Sequence, residues 1–260
     1  MHNDIFTIGK FTLHGYALMI AIGYILAVGT CLLRCKKEEK SQDTVTDLSL
    51  VAILVGFLGG KIMYVIVNFK AFLDNPKAVI GLSGFVVYGG IILGLAGILL
   101  YCKIKKVNAL EYLDFMIPHI AIAQGFGRIG CFLAGCCYGA PTDSFIGVVF
   151  PAGSIAPSGI KLWPTQLMMA VGDLLLAAIL YVFYMKMKNG KKGNTCILYV
   201  ALYAIGRFVI EIFRADPRGN VSFLSTSQFI SILALLAAMI VFILLNFVKK
   251  DKKENETIDK

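Results

Sequence analysis

Between Gln124 and Gly139 the sequence QGFGRIGCFLAGCCYG sets one arginine, five glycines and three of the chain's seven cysteines inside an otherwise apolar run. Arg128 has the clearest chemistry there. A guanidinium holds phosphate or carboxylate oxygens in bidentate pairs and keeps its charge at any ordinary pH. No acidic residue lies within a helical turn of Arg128, so its counter-charge must come from elsewhere in the fold or from a ligand. A second group, Arg207, Glu211 and Arg214, follows at i, i+4 and i+7, which places two cations and a carboxylate on one helical face. That spacing leaves two readings open: Arg207 and Glu211 pair only to make each other's burial tolerable, or Arg207 also serves an anion. The thiols of Cys131, Cys136 and Cys137 could hold a soft metal or form a disulfide. With no histidine nearby and no C-x-x-C pair, no metal site is assigned to them. Gly125, Gly127 and Gly130 spell G-x-G-x-x-G, but what precedes them reads as a helix. Close helix packing or backbone approach to a ligand therefore explains them better than a dinucleotide loop. Gly56, Gly59 and Gly60, with Gly89, Gly90 and Gly94, read the same way, packing first.

The elements that must position these residues are membrane helices. The 260 residues are 58% hydrophobic and 16% charged, with a mean hydropathy of +0.77, which is too apolar for a soluble domain. Seven stretches reach the roughly 20 residues that a spanning helix needs: 13–33, 48–69, 85–101, 109–132, 164–187, 195–213 and 226–247. No alternating barrel pattern recurs, so the expected fold is all-α, a polytopic bundle of seven transmembrane helices. It is expected to form one domain over residues 1–250, followed by a charged tail at 251–260. The first span reads as an uncleaved anchor, because no basic segment precedes it.

The 25 lysines and arginines outnumber the 16 acidic residues, yet they do not mark a nucleic-acid binder. They crowd alternate loops, around Arg34–Lys40, Lys103–Lys106, Lys186–Lys192 and Lys249–Lys253. By the positive-inside rule those loops are cytoplasmic, the N-terminus is outside and the C-terminus inside. On that topology Tyr16, Lys61, Tyr88, Arg128, Gln166, Gln228 and the Arg207–Arg214 face all fall in the outer half. Ionisable groups there are functional-site candidates, and a basic pocket lined by Arg128, Arg207 and Lys61 would suit an anionic lipid headgroup. Asp114, His119 and Asp173 read as satisfied structural residues. The long loop at 133–163 carries Pro141, Pro151 and Pro157 and is too irregular for a helix.

Taken in order, HGYALM at His14, Asp47, GGKIMYVI, SGFVVYGGIILG, GRIGCFLAGCCYG, WPTQLMM, GRFVIEIFR and STSQ make the chain resemble the prolipoprotein diacylglyceryl transferase family over nearly its whole length. The resemblance implies transfer of the diacylglyceryl group of phosphatidylglycerol to the lipobox cysteine of a prolipoprotein signal peptide. The protein would be a multi-pass protein of the bacterial inner membrane acting at the outer leaflet without a cofactor. It implies that Arg128 holds the headgroup, that Arg207 stabilises the leaving phosphate and that Glu211 orients Arg207. Tyr16, Gly139 and Gln166 match further family positions. The chain has Cys131, Ala134 and Cys136 where the family signature has Asn, Asn and Glu, and Tyr88 and Trp163 where it has His. A base expected at the histidine of the family's HGG motif would have to be Tyr88. Other readings are a paralogue with a different acceptor in which Cys131 or Cys136 takes part, a noncatalytic binder of anionic phospholipid, and a membrane thiol-redox protein.

Overall fold

The computed structural model describes residues 4–8, 11–81, 84–187, 189–216, 219–221 and 223–245, so the charged tail at 251–260 lies outside the described residues. The long helices are α1 (Gly15–Cys35), α2 (Gln42–Val67), α5 (Val87–Lys105), α6 (Ala109–Ala134), α7 (Thr165–Met187), α8 (Asn194–Glu211) and α9 (Thr226–Ile243); two short ones, α3 (Phe69–Asp74) and α4 (Pro76–Ile80), follow α2. Six of them, α1, α2, α5, α7, α8 and α9, are long and apolar enough to cross a membrane. The 26 residues of α6 suffice in length, and the helix carries Glu111, Asp114, His119, Gln124 and Arg128. The chain is thus a mostly helical, multi-pass membrane protein. Among the described residues, three two-stranded antiparallel ribbons decorate it: β1 (Asp4–Ile8) with β2 (Phe11–His14), β3 (Val148–Val149) with β4 (Lys161–Leu162), and β5 (Asn220–Val221) with β6 (Leu224–Ser225).

The described residues divide into two compact units, one within residues 31–112 and the other made of those before residue 31 and those from residue 113 on. In the first, α2 and α5 meet along glycines. A Cβ added to Gly59 would sit 2.5 Å from the Gly89 carbonyl oxygen, and one on Gly90 would sit 2.8 Å from that of Gly56. The helix axes approach until backbone touches backbone, so the packing reading of these glycines holds. Asp47 on α2 accepts a hydrogen bond from the Tyr101 hydroxyl of α5 at 2.5 Å. Lys61 donates to the carbonyl oxygens of Gly81 and Gly84, the second at 3.4 Å, and lies over the rings of Tyr64 and Phe85. Its ammonium is answered locally, within its own unit.

In the second unit α6, α7 and α8 enclose an apolar core of Ala121, Leu176, Ala177 and Leu180, flanked by Leu198, Tyr199, Leu202 and Tyr203. Gly125 lets α6 approach α7, since a Cβ there would meet the Leu174 side chain at 3.1 Å and the Ala170 carbonyl oxygen at 3.3 Å. Gly130 does the same against Tyr16 of α1. Asp114 is structural, as expected: it accepts from the backbone N–H of Gly193 at 2.6 Å and of Cys196 at 2.9 Å, capping the positive end of α8. His119 is held by Thr30 at 2.9 Å and lies beside the Phe115 ring. Gln228 closes a capping box with Ser225 at the start of α9, so its polarity has a local cause. Much of the long loop after α6 folds down onto a small core of Phe150, Ala156 and Leu162.

Gly59→Ala is expected to cost about 1–3 kcal/mol, the usual range for overpacking a tight contact. Thermal unfolding in detergent checks it: the variant's midpoint falls, and an unchanged midpoint would show that the glycine contact is not tight.

Candidate functional site

The site is assembled from the C-terminal half of α6 outward. Beyond Ala134 the helix ends in a Schellman motif: Gly135 adopts φ +70°, the Gly135 N–H donates to the Phe132 carbonyl at 3.1 Å, and the Cys136 N–H donates to that of Cys131 at 3.1 Å. This turn folds Cys136 back over Cys131. Cys137 follows with φ +62°, an uncommon conformation for a residue with a side chain. The start of α7 fixes the turn in place, for Gln166 Nε2 donates to the Cys136 carbonyl at 2.7 Å and Thr165 Oγ1 to that of Cys137 at 2.7 Å. The Sγ atoms of Cys131, Cys136 and Cys137 all come within 4.8 Å of one another, and none is in a disulfide.

Three backbone segments then cross at Gly139. Its N–H donates to the Trp163 carbonyl at 3.0 Å, and the Ala140 N–H to that of Phe213 at 2.8 Å. A Cβ on Gly139 would lie 2.6 Å from the Trp163 carbonyl oxygen and 2.8 Å from that of Phe213. No side chain fits there. The glycine lets the loop join α7 to the end of α8, and its presence has this cause without any ligand.

Arg128 lies among polar groups from three helices. Its Nη2 donates to the Tyr203 hydroxyl of α8 at 3.3 Å, the hydrogen bond it makes among the described residues. Asp173 of α7, buried, is electrostatically coupled to it, and its Oδ2 has no hydrogen-bond partner among the described residues. Asp173 is therefore not the satisfied structural residue expected from the sequence. Tyr203 stacks on Tyr199, whose hydroxyl donates to Gln124 Oε1 at 2.6 Å. Tyr199, Tyr203, Arg207 and Glu211 make one stripe along α8 at four-residue spacing.

Further along that stripe the charges are paired with their opposites. Arg207 Nη1 meets Glu211 Oε2 at 2.8 Å, while its Nη2 donates to Ser227 Oγ of α9 at 2.7 Å. Arg214 lies 3.9 Å from the same Glu211 oxygen and makes a two-pronged pair with Asp216, both contacts at 2.9 Å. Arg214 also interacts with Cys137, which links this network to the sulfur cluster. Hydrogen bonds from the Cys131 and Cys136 thiols hold Cys137 well below the ordinary thiol range, and Arg214 acts in the same direction. Those sulfur hydrogen bonds, with burial, push Cys136 up.

Of the residues expected at the site, Tyr16, Arg128, Cys131, Cys136, Gly139, Gln166, Arg207 and Glu211 belong to one unit. Tyr16 is near enough to Arg128 and the three cysteines for electrostatic interaction. Tyr88, in the first turn of α5 and half exposed, belongs to the other unit, as does Lys61. Tyr199, Tyr203, Asp173 and Ser227 were missed as site residues. The four-residue ladder leading up to Arg207 was the available signal for the two tyrosines.

The family model "Prolipoprotein diacylglyceryl transferase" matches residues 3–244. The chain is 47% identical over 231 residues to the phosphatidylglycerol–prolipoprotein diacylglyceryl transferase of Clostridium tetani, spanning 88% of this chain and 92% of that protein. It is 44% identical over 252 residues to the protein of that name numbered 2 in Clostridium perfringens, across 95% of each. It is 30% identical over 253 residues to the namesake of Dehalococcoides mccartyi, across 96% of each.

Because the neighbouring thiols and Arg214 favour ionisation at Cys137 while the same sulfur contacts disfavour it at Cys136, alkylation at mildly acidic pH is expected to modify Cys137 ahead of Cys136. Replacing Arg214 with Gln should raise the Cys137 pKa and slow its labelling there. Mass-mapped iodoacetamide kinetics against pH read this directly; equal rates for the two thiols would contradict it.

Proposed function

The chain belongs to the prolipoprotein diacylglyceryl transferase family, and from this we infer that it moves the diacylglyceryl group of phosphatidylglycerol onto the lipobox cysteine of a prolipoprotein signal peptide. In this reading the chain crosses seven times with α6 as the fourth span, and the basic alternate loops, taken as cytoplasmic, leave the N-terminus outside and the site at the outer leaflet of a bacterial inner membrane. The observation that carries the reading is Arg128: a guanidinium set in a helix bundle, with one hydrogen bond to a neutral hydroxyl and a neighbouring carboxylate that does not clamp it. An anionic phospholipid headgroup completes such a group well.

In the reaction the substrate sulfur forms a bond to the glyceryl carbon, and that carbon's bond to the phosphate oxygen breaks. Its electron pair stays on the oxygen, glycerol phosphate leaves, and the thiol proton passes to a base. Negative charge therefore grows on the departing phosphate, and fixed cations near it lower the barrier. Arg128 holds the phosphodiester, with the Tyr203 hydroxyl setting the guanidinium's angle. Arg207 lies eight residues nearer the end of α8 than Tyr199 on the same stripe and stabilises the leaving group, while Glu211 and Ser227 fix its plane from two sides. Gln166 and Gly139 act through the backbone, by setting the turn that carries Cys136 and Cys137. Tyr16, beside Arg128 and the thiols, is the better-supported step in the proton's path; Tyr88 is a second candidate from the sequence.

The test is transfer by purified protein from phosphatidylglycerol vesicles to a lipobox peptide, read as the peptide's mass gain with stoichiometric glycerol phosphate. Arg128→Ala should slow transfer by roughly 100- to 1,000-fold, the typical cost of removing one charge-stabilising donor. Arg128→Lys should recover little, because an ammonium lacks the planar fork. Phospholipid binding by folded protein with no covalent product would leave the noncatalytic reading in its place.

A further inference from the structure

The transfer reaction uses one substrate thiol and leaves the three clustered protein thiols unexplained. Cys131, Cys136 and Cys137 are not spaced like a metal motif, yet the Schellman turn after α6 and the left-handed Cys137 bring all three sulfurs within 4.8 Å of one another. Metal–thiolate bonds of about 2.3 Å put sulfurs about 3.8–4.0 Å apart in tetrahedral or trigonal sites, so small side-chain rotations close the set. The backbone bearing two of the three is already fixed, through the hydrogen bonds from Thr165 and Gln166 to the carbonyls of Cys137 and Cys136. Cys131 is buried and the other two are partly exposed, which gives an ion a way in.

We propose that Cys131, Cys136 and Cys137 form a three-thiolate site for a soft, thiophilic metal ion such as Cu(I), Zn(II) or Cd(II). Thiolates select such ions over hard cations of the magnesium or calcium type. Three sulfurs suit trigonal Cu(I) directly and Zn(II) or Cd(II) with a water in the fourth position. Binding displaces the remaining thiol protons to solvent and changes no oxidation state. A divalent ion on three thiolates carries one net negative charge, and Arg214, already linked to Cys137, faces it. Arg128 interacts electrostatically with Cys131, so an occupied site adjoins the headgroup position and is expected to modulate it.

Full-length protein in detergent, reduced and stripped of metal, would be titrated with Cd(II) alone. The expected result is one ion per chain with a thiolate-to-metal charge-transfer absorption. Cys136→Ser and Cys137→Ser should each weaken binding by roughly a hundredfold or more, at or beyond the upper end of what changing a ligand's supporting partner costs. Cys196→Ser, on α8 and outside the cluster, should bind as the unaltered chain does. A second reading needs no variant: bound Cd(II) should protect Cys136 and Cys137 from maleimide while labelling of Cys196 is unchanged. Binding that survives both cluster substitutions, binding lost equally in Cys196→Ser, or thiols that label alike with and without the ion would overturn the proposal.

Discussion

A guanidinium set among apolar helices has to be met by negative charge, because leaving it unpaired in a low-dielectric interior costs several kcal/mol. The larger unit of this protein contains two answers to that constraint. Arg207 and Arg214 are met by Glu211 and Asp216, two cations against two carboxylates along the end of α8 and the turn beyond it. Arg128 is met by a tyrosine hydroxyl and, without a direct clamp, by the buried Asp173. The first arrangement is charge-matched and fixes geometry. The second leaves the guanidinium with a single hydrogen bond among the described residues.

Backbone packing makes this difference possible. Gly125 and Gly130 draw α7 and α1 against α6, so that Arg128 projects among side chains of neighbouring helices instead of into lipid. Gly139 allows three main-chain segments to cross where a single methyl group would collide with two carbonyl oxygens, and this crossing ties the sulfur-bearing turn to the end of α8. The polar machinery is therefore held by main chain, which moves less than the long side chains it carries.

The hydropathy of the sequence made the long helices legible, with ends displaced by up to six residues where polar turns such as that at Gln42 extend α2, because an apolar run of spanning length has few alternatives. The pairing of Arg207 with Glu211 was legible for the same kind of reason, being local to one helix. Contacts between helices were not. Nothing near Arg128 in the chain points to Asp173 on α7 or Tyr203 on α8, and Gln228 looked like a site residue until its capping role was visible. The cysteine cluster was hidden by its spacing: a five-residue gap looks wrong for a shared ion until a left-handed glycine folds the chain back. The motif resemblance supplied the family, while the geometry supplied reasons for individual residues such as Gly139 and Gln166.

The proposed division of labour has Arg128 hold the lipid phosphate and Arg207, paired with Glu211, serve the reaction. Equilibrium binding of phosphatidylglycerol to the unaltered protein, to Arg128→Ala and to Arg207→Ala, each measured against a zwitterionic phospholipid, tests it most directly. Arg128→Ala is expected to lose the preference for the anionic lipid and Arg207→Ala to retain it. The reverse pattern, or an equal loss in both, would contradict it.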